Sequence, residues 1–183
     1  MKHVLIALTL ICAPPAFSDT CPEAPDHTAA LADLIAAARA APDETTARQL
    51  SDDMWAYWSD APDAHAQDLL DEAITRRTAY DFDGAMIAAN ALVEYCPDYA
   101  EGYNQRAFVN FLRQEYAAAL PDLERTEDLS PTHLGALTGH AMTLAALQRN
   151  AEAAVVLRRA LDLNPWLSER HLLPALEATE KEL

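Results

Sequence analysis

The chain has 183 residues, with 13 lysines and arginines against 29 aspartates and glutamates, a formal charge of −16 at neutral pH. So acidic a surface repels phosphate, which argues against nucleic acid and anionic lipid as partners. The length suits one domain with a substantial core or a short repeat array.

The chain opens "MKHVLIALTLICAPPAFSDT": one lysine, an apolar run from Val4, a Pro14-Pro15 break and then Ala16-Phe17-Ser18, where signal peptidase reads small residues. Residues 1–18 are therefore expected to be a cleaved signal peptide, which places the mature protein in the periplasm. The run from Val4 to Ala13 falls short of the roughly 20 residues that span a bilayer. Neither Cys12 nor Cys21 follows the small residues a lipoprotein box needs, so no membrane insertion is expected after cleavage. Cys21 and Cys96 survive, and an even cysteine count in an exported chain predicts a disulfide, with two separate buried thiols as the alternative.

Residues 19–64 form an N-terminal helical extension. The triplet Ala-Pro-Asp begins at Ala24, Ala41 and Ala61, each time with an aspartate (Asp26, Asp43, Asp63) placed to cap or charge a first helical turn. Leu31, Leu34, Ile35 and Ala38 keep helical spacing, as do Ala47, Leu50, Met54 and Trp58. The expectation is one degenerate hairpin, stacked ahead of the more regular residues 65–183, with Trp55, Tyr57 and Trp58 on its packing face.

Residues 65–183 carry a regular signal. Pro97, Pro131 and Pro165 each close a helical pattern, one every 34 residues. Ala85, Ala119 and Ala153 stand at one fixed distance before them, and Ala73, Ala107 and Ala141 at twice that distance. Small residues in register let two helices approach closely, and a proline past the second helix stops it. Large residues recur too: Leu69, Tyr103 and Leu137 near the start of the first helix, Phe82 and Tyr116 at the start of the second, and Leu123 with Leu157 later on, where Ala89 is the undersized member.

At these residues the chain resembles the tetratricopeptide repeat family, whose 34-residue unit has W-x2-L-G-x2-Y, then A-x3-F, then a proline. The resemblance covers residues 66–165, with "SERHLLPALEATEKEL" after them like a C-terminal capping helix. It implies an all-α solenoid of about three helix-turn-helix units. The chain departs from the family at the seventh position, with Glu72, Arg106 and His140 for leucine, and at the eleventh, with Arg76, Asn110 and Leu144 for tyrosine. An ion pair between Glu72 and Arg106 across the first junction is expected to answer two of these. Pro121 is tolerable if its helix starts near Ala118, within the first turn.

Catalytic chemistry is conspicuous by its absence. There is no zinc-ligand spacing, phosphate-cradling glycine loop or serine elbow, and the histidines, including His133 and His140, form no metal motif. No enzyme, cofactor or metal site is read from the sequence. The resemblance implies instead that the first helix of each repeat lines a concave, peptide-binding face. Carried over by position, that groove comprises Leu70, Ile74 and Arg77, then Asn104, Gln105, Phe108 and Phe111, then Thr138 and Met142. A bridge from Cys21 to Cys96 would strap the N-terminal extension to the first repeat. The family's carboxylate clamp needs lysine, asparagine and arginine where this chain has Leu70, Ile74, Gln105, Gly135 and Gly139, which argues against acidic chaperone tails.

The implied role is a periplasmic adaptor or scaffold that holds a protein or peptide client, in envelope assembly or cytochrome maturation by resemblance to exported proteins of this type. Two alternatives stand beside it: a small-ligand or metal-binding protein, and a structural subunit of a larger envelope complex. Phe108 and Phe111 packing internally against the N-terminal hairpin is the competing reading of the groove.

Overall fold

In a computed structural model the described residues, 20–180, contain helices and no strands; the expected signal peptide lies outside them. The order is α1 (Thr28–Arg39), α2 (Glu44–Trp58), α3 (Ala64–Thr78), α4 (Phe82–Tyr95), α5 (Ala100–Leu112), α6 (Tyr116–Leu129), α7 (Leu134–Ala146), α8 (Asn150–Leu163), a 3-10 turn (Ser168–Leu172) and α9 (Leu173–Glu180). None of these helices is long and apolar enough to cross a membrane.

Local chemistry sets the helix starts. Asp43 accepts the Thr46 N–H and Asp63 the Ala66 N–H, both at 2.8 Å, caps worth about 1 kcal/mol each. Asp26 does the same one residue early for α1, accepting the Thr28 N–H at 3.0 Å.

The pairs α3/α4, α5/α6 and α7/α8 are the three repeats. All six alanines of the 34-residue register are buried, so each pair packs backbone close to backbone. Pro97, Pro131 and Pro165 stand immediately after the C-caps Cys96, Ser130 and Asn164. A second set of turns joins the helices within each repeat. Tyr80, Gln114 and Gln148, again in register, have φ of 62°, 62° and 61°. Asp81, Glu115 and Arg149 send their N–H groups back to the carbonyls of Arg76, Asn110 and Leu144 at 2.8 to 2.9 Å. These are Schellman closures, in which glycine is the usual residue at the left-handed position.

Three expectations need correction. First, α6 begins at Tyr116, so Pro121 is its sixth residue and lies beyond the first turn. Pro121 and Ala117 are both exposed, so water can meet the carbonyl that the missing N–H leaves free. Second, Glu72 does not meet Arg106. Glu72 accepts from Arg76 of its own helix at 2.6 Å, while Arg106 grips Asp122 with two bonds of 2.8 and 2.6 Å. Within the repeat the bidentate partner is nearer and more buried than one across the junction.

Third, the α1/α2 hairpin does not stack ahead of the first repeat. It lies along the row of proline turns and touches all three. The Tyr99 hydroxyl donates to the Trp58 carbonyl at 2.8 Å, the His133 ring stacks on Trp58 at 4.3 Å, and Asn164 donates to Ser51 at 3.0 Å. Further along, Trp166 donates to the Ala41 carbonyl at 3.1 Å and Arg170 to Glu44 at 2.8 Å. The apolar stripe of the hairpin, Ile35, Ala38, Met54 and Trp58, is buried against Leu134, with Leu163 and Leu167 packed beside it. A stripe of that width finds more apolar partners at the third repeat than above the first.

The disulfide joins Cys21 to Cys96 with a Cα separation of 5.1 Å. It fastens the segment before α1 to the first proline turn, so the hairpin is held covalently at the first repeat and by packing at the third.

Candidate functional site

A buried polar cluster fixes the hairpin to the array. Glu101, in the first turn of α5, is 1% exposed and has three side-chain partners. The His133 Nε2 donates to it at 2.9 Å, the Asn104 amide at 3.0 Å, and the Gln105 amide completes the set. His133 is the N-cap of α7, and its Nδ1 accepts the Ala136 N–H at 3.2 Å. That acceptance assigns the ring proton to Nε2, the nitrogen facing Glu101. Arg77 of α3 joins from the other side, its Nε donating to Gln105 at 3.1 Å while its guanidinium lies 4.3 Å above the Phe108 ring. Burial lowers the Arg77 pKa, and the Glu101 carboxylate opposes that shift. Burial also holds the Tyr99 phenol far above its usual range, so its proton stays on the bond to Trp58.

Beside this cluster, α2, α5 and α7 enclose a cavity of about 300 Å³. Its apolar walls are Trp55, Phe108, Phe111, Leu123 and Met142, and Gly135 and Gly139 form part of its floor. Glycine at 135 matters: a Cβ there would stand 3.3 Å from the His133 ring and 3.6 Å from Trp55. The polar lining is Asn104, Thr138, Thr143 and Glu169, the last supplied by the 3-10 turn.

The structure divides the groove residues inferred from sequence. Asn104, Phe108, Phe111, Thr138 and Met142 come together in this cavity. Leu70 does not face it: it is 0% exposed, in a core with Leu92, Cys96 and Tyr99, and Ile74 packs against the same core. Gln105 is equally buried and spends its amide on Glu101 and Arg77. Arg77 lies behind Phe108 rather than on the lining. The first repeat accounts for the division, because its own helices, the first proline turn and the segment before α1 (Cys21, Ala24) close over Leu70 and Ile74. Phe111 also meets Tyr116 at 5.3 Å, and Phe108 remains 40% exposed, so neither ring is consumed by the hairpin.

Sequence reasoning missed Trp55, Leu123, Thr143 and Glu169 as lining, and Glu101 as the centre of the polar cluster. A signal for the last was present: Glu101, Gly135 and Glu169 occupy one register position, as do Tyr99, His133 and Leu167. His140 takes a different partner from His133, bonding Glu127 at 2.6 Å. Among the described residues no group of three or more histidines, cysteines or acids is placed to hold a metal ion.

No protein-family profile matches the chain. A protein of Rhizobium etli described as a TPR repeat-containing protein is 30% identical over 129 residues, 67% of this chain and 60% of that relative. The chain thus spans less than two thirds of the length of the curated relative it matches. Together with the buried 34-residue register, that match decides the family. This chain is a tetratricopeptide repeat protein.

Solved structures share its fold, tetratricopeptide domains among them. The first such domain of Spaghetti (RPAP3), bound to the HSP90 peptide SRMEEVD, superposes with a TM-score of 0.61 at 20% identity, over 63% of this chain and 93% of that one. A double mutant of MamA superposes with a TM-score of 0.59 at 15% identity, over 87% of this chain and 88% of that one. At these identities the likeness speaks for the tetratricopeptide fold.

Proposed function

We propose that this tetratricopeptide repeat protein is a non-enzymatic interaction module of the periplasm, and that it holds a protein or peptide client in the cavity between α2, α5 and α7. The observation that carries the reading is the cavity itself. Two phenylalanines, a methionine and a tryptophan converge on about 300 Å³ of space, with Phe108 still 40% exposed. Aromatic and methionine side chains supply contact area and adaptability where a partner docks. The fold neighbour bound to an HSP90 peptide supports a peptide-holding use of the fold. For the location, the leader sequence and the Cys21–Cys96 disulfide support an oxidising, exported setting. A role in envelope assembly or cytochrome maturation belongs to the same proposal and rests on the resemblance alone.

The test is affinity capture from periplasmic extract with the tagged mature protein and with a Phe108→Ala, Phe111→Ala double variant. The proposal expects a stoichiometric partner that the variant loses while keeping its helical circular dichroism. Equal capture by both proteins would place the client elsewhere on the molecule.

A further inference from the structure

The polar inventory of the cavity identifies what kind of group it would receive. Asn104 turns one amide N–H to the Glu101 carboxylate at 3.0 Å, which leaves its carbonyl oxygen and its second N–H. The Thr138 hydroxyl donates to the Leu134 carbonyl at 2.9 Å and the Thr143 hydroxyl to the Gly139 carbonyl at 2.7 Å, so both offer only lone pairs. Glu169 has acceptors alone, one of them meeting the Ser168 hydroxyl at 3.0 Å. What these four side chains have left over is acceptors, apart from that one N–H of Asn104.

The charge at the mouth is not cancelled by its neighbours. Arg170, next to Glu169, is bound to Glu44 at 2.8 Å and to the carbonyls of Trp166 and Leu167. Arg77 is held by Gln105 at 3.1 Å. Its position over Phe108 shows a guanidinium resting on that ring within the chain itself.

We infer that the cavity takes the side chain of an arginine or lysine from a client, its apolar stem along Phe108, Phe111 and Met142 and its cation at Glu169. This rests on the reading of the cavity as a client site. A carboxylate placed there would face the like charge of Glu169 and mostly acceptors, with a single Asn104 N–H to meet it, and a purely apolar side chain would exclude water from Asn104 without replacing the bond. A cation with an apolar stem satisfies both the walls and the acceptors, and aromatic walls favour it further. The formal charge of −16 draws the same partner at long range.

Fluorescence anisotropy with three labelled glycine-serine peptides tests this on the full mature protein. One carries a central Leu-Arg-Leu, the second Leu-Glu-Leu, the third Leu-norleucine-Leu. The arginine peptide is expected to bind tightest and to weaken with added salt. Glu169→Gln should weaken it roughly threefold and Glu169→Arg roughly tenfold, with the thermal melt unchanged. Phe108→Ala should weaken all three. If the glutamate or norleucine peptide binds as tightly as the arginine peptide and Phe108→Ala weakens it, the cation assignment is overturned and the client cavity stands. If no peptide shows saturable binding up to about 1 mM, or Phe108→Ala changes nothing, both readings fall.

Discussion

Two rows of turns run along this array with the same 34-residue period, and they have opposite fates. The proline turns, with Tyr99, His133 and Leu167 in register, are covered by the α1/α2 hairpin and carry its hydrogen bonds and stacking. The turns within repeats, at Tyr80, Gln114 and Gln148, are exposed, Tyr80 to 81%. Each closes on a non-glycine residue in the left-handed region. One row is stabilised by what lies on top of it, and the other bears local backbone strain with no tertiary cover. Periodicity in sequence reports the repeat, whereas the use made of each edge depends on residues far away in the chain.

The largest effect should come from cutting the covered row's covalent tie. Replacing Cys21 and Cys96 by serine frees a 75-residue separation and should cost about 4 kcal/mol in the loop-entropy account, read by urea denaturation. A loss below about 1 kcal/mol would mean that packing alone holds the hairpin. Next, His133→Ala removes a donor from buried Glu101 and the ring beneath Trp58, with an expected loss of about 3 kcal/mol. Hydrogen exchange should localise that loss to α1 and α2.

A smaller, pH-dependent effect belongs to neither row. Burial would raise the Glu127 carboxyl, but bonds from His140 and Arg159 outweigh it and hold the group below its usual range. Stability from such a carboxylate is complete above its unfolded value, about 4.3, and is lost as pH falls through the lower folded value. The melting temperature should accordingly fall more steeply below about pH 4 in the wild type than in Glu127→Gln. The smallest effect has the opposite sign. Gln114→Gly, at φ 62°, should stabilise by up to about 1 kcal/mol by relieving the left-handed conformation. The same change at a covered position such as His133 should do nothing but harm.

Legibility in the sequence follows the same division. The three repeats could be read because proline and alanine act locally: a helix stop and a close helix contact need no knowledge of distant residues. The disulfide was legible for a similar reason, two cysteines in a chain whose first residues read as an export signal. By contrast, the seat of the hairpin depended on matching Ile35, Met54 and Trp58 to Leu134 and Leu163, more than 70 residues away, and nothing periodic links them. The partners of charged residues were equally hidden. Arg106 has several acids within a repeat's reach, and only the fold selects Asp122. The cavity was half legible: Phe108, Phe111 and Met142 sit at family groove positions, while Trp55 and Glu169 arrive from elements outside the repeats.

Whether a client sits, as proposed, in the cavity beside the covered row can be read by photo-crosslinking in living cells. Benzoylphenylalanine is placed either at Met142, on the cavity wall, or at Ile87, which is exposed on α4. A client in the cavity gives one abundant adduct from position 142, absent from position 87 and abolished by Phe108→Ala. An adduct formed from position 87 but not from 142 would overturn that placement and move the binding face to the second helices of the repeats.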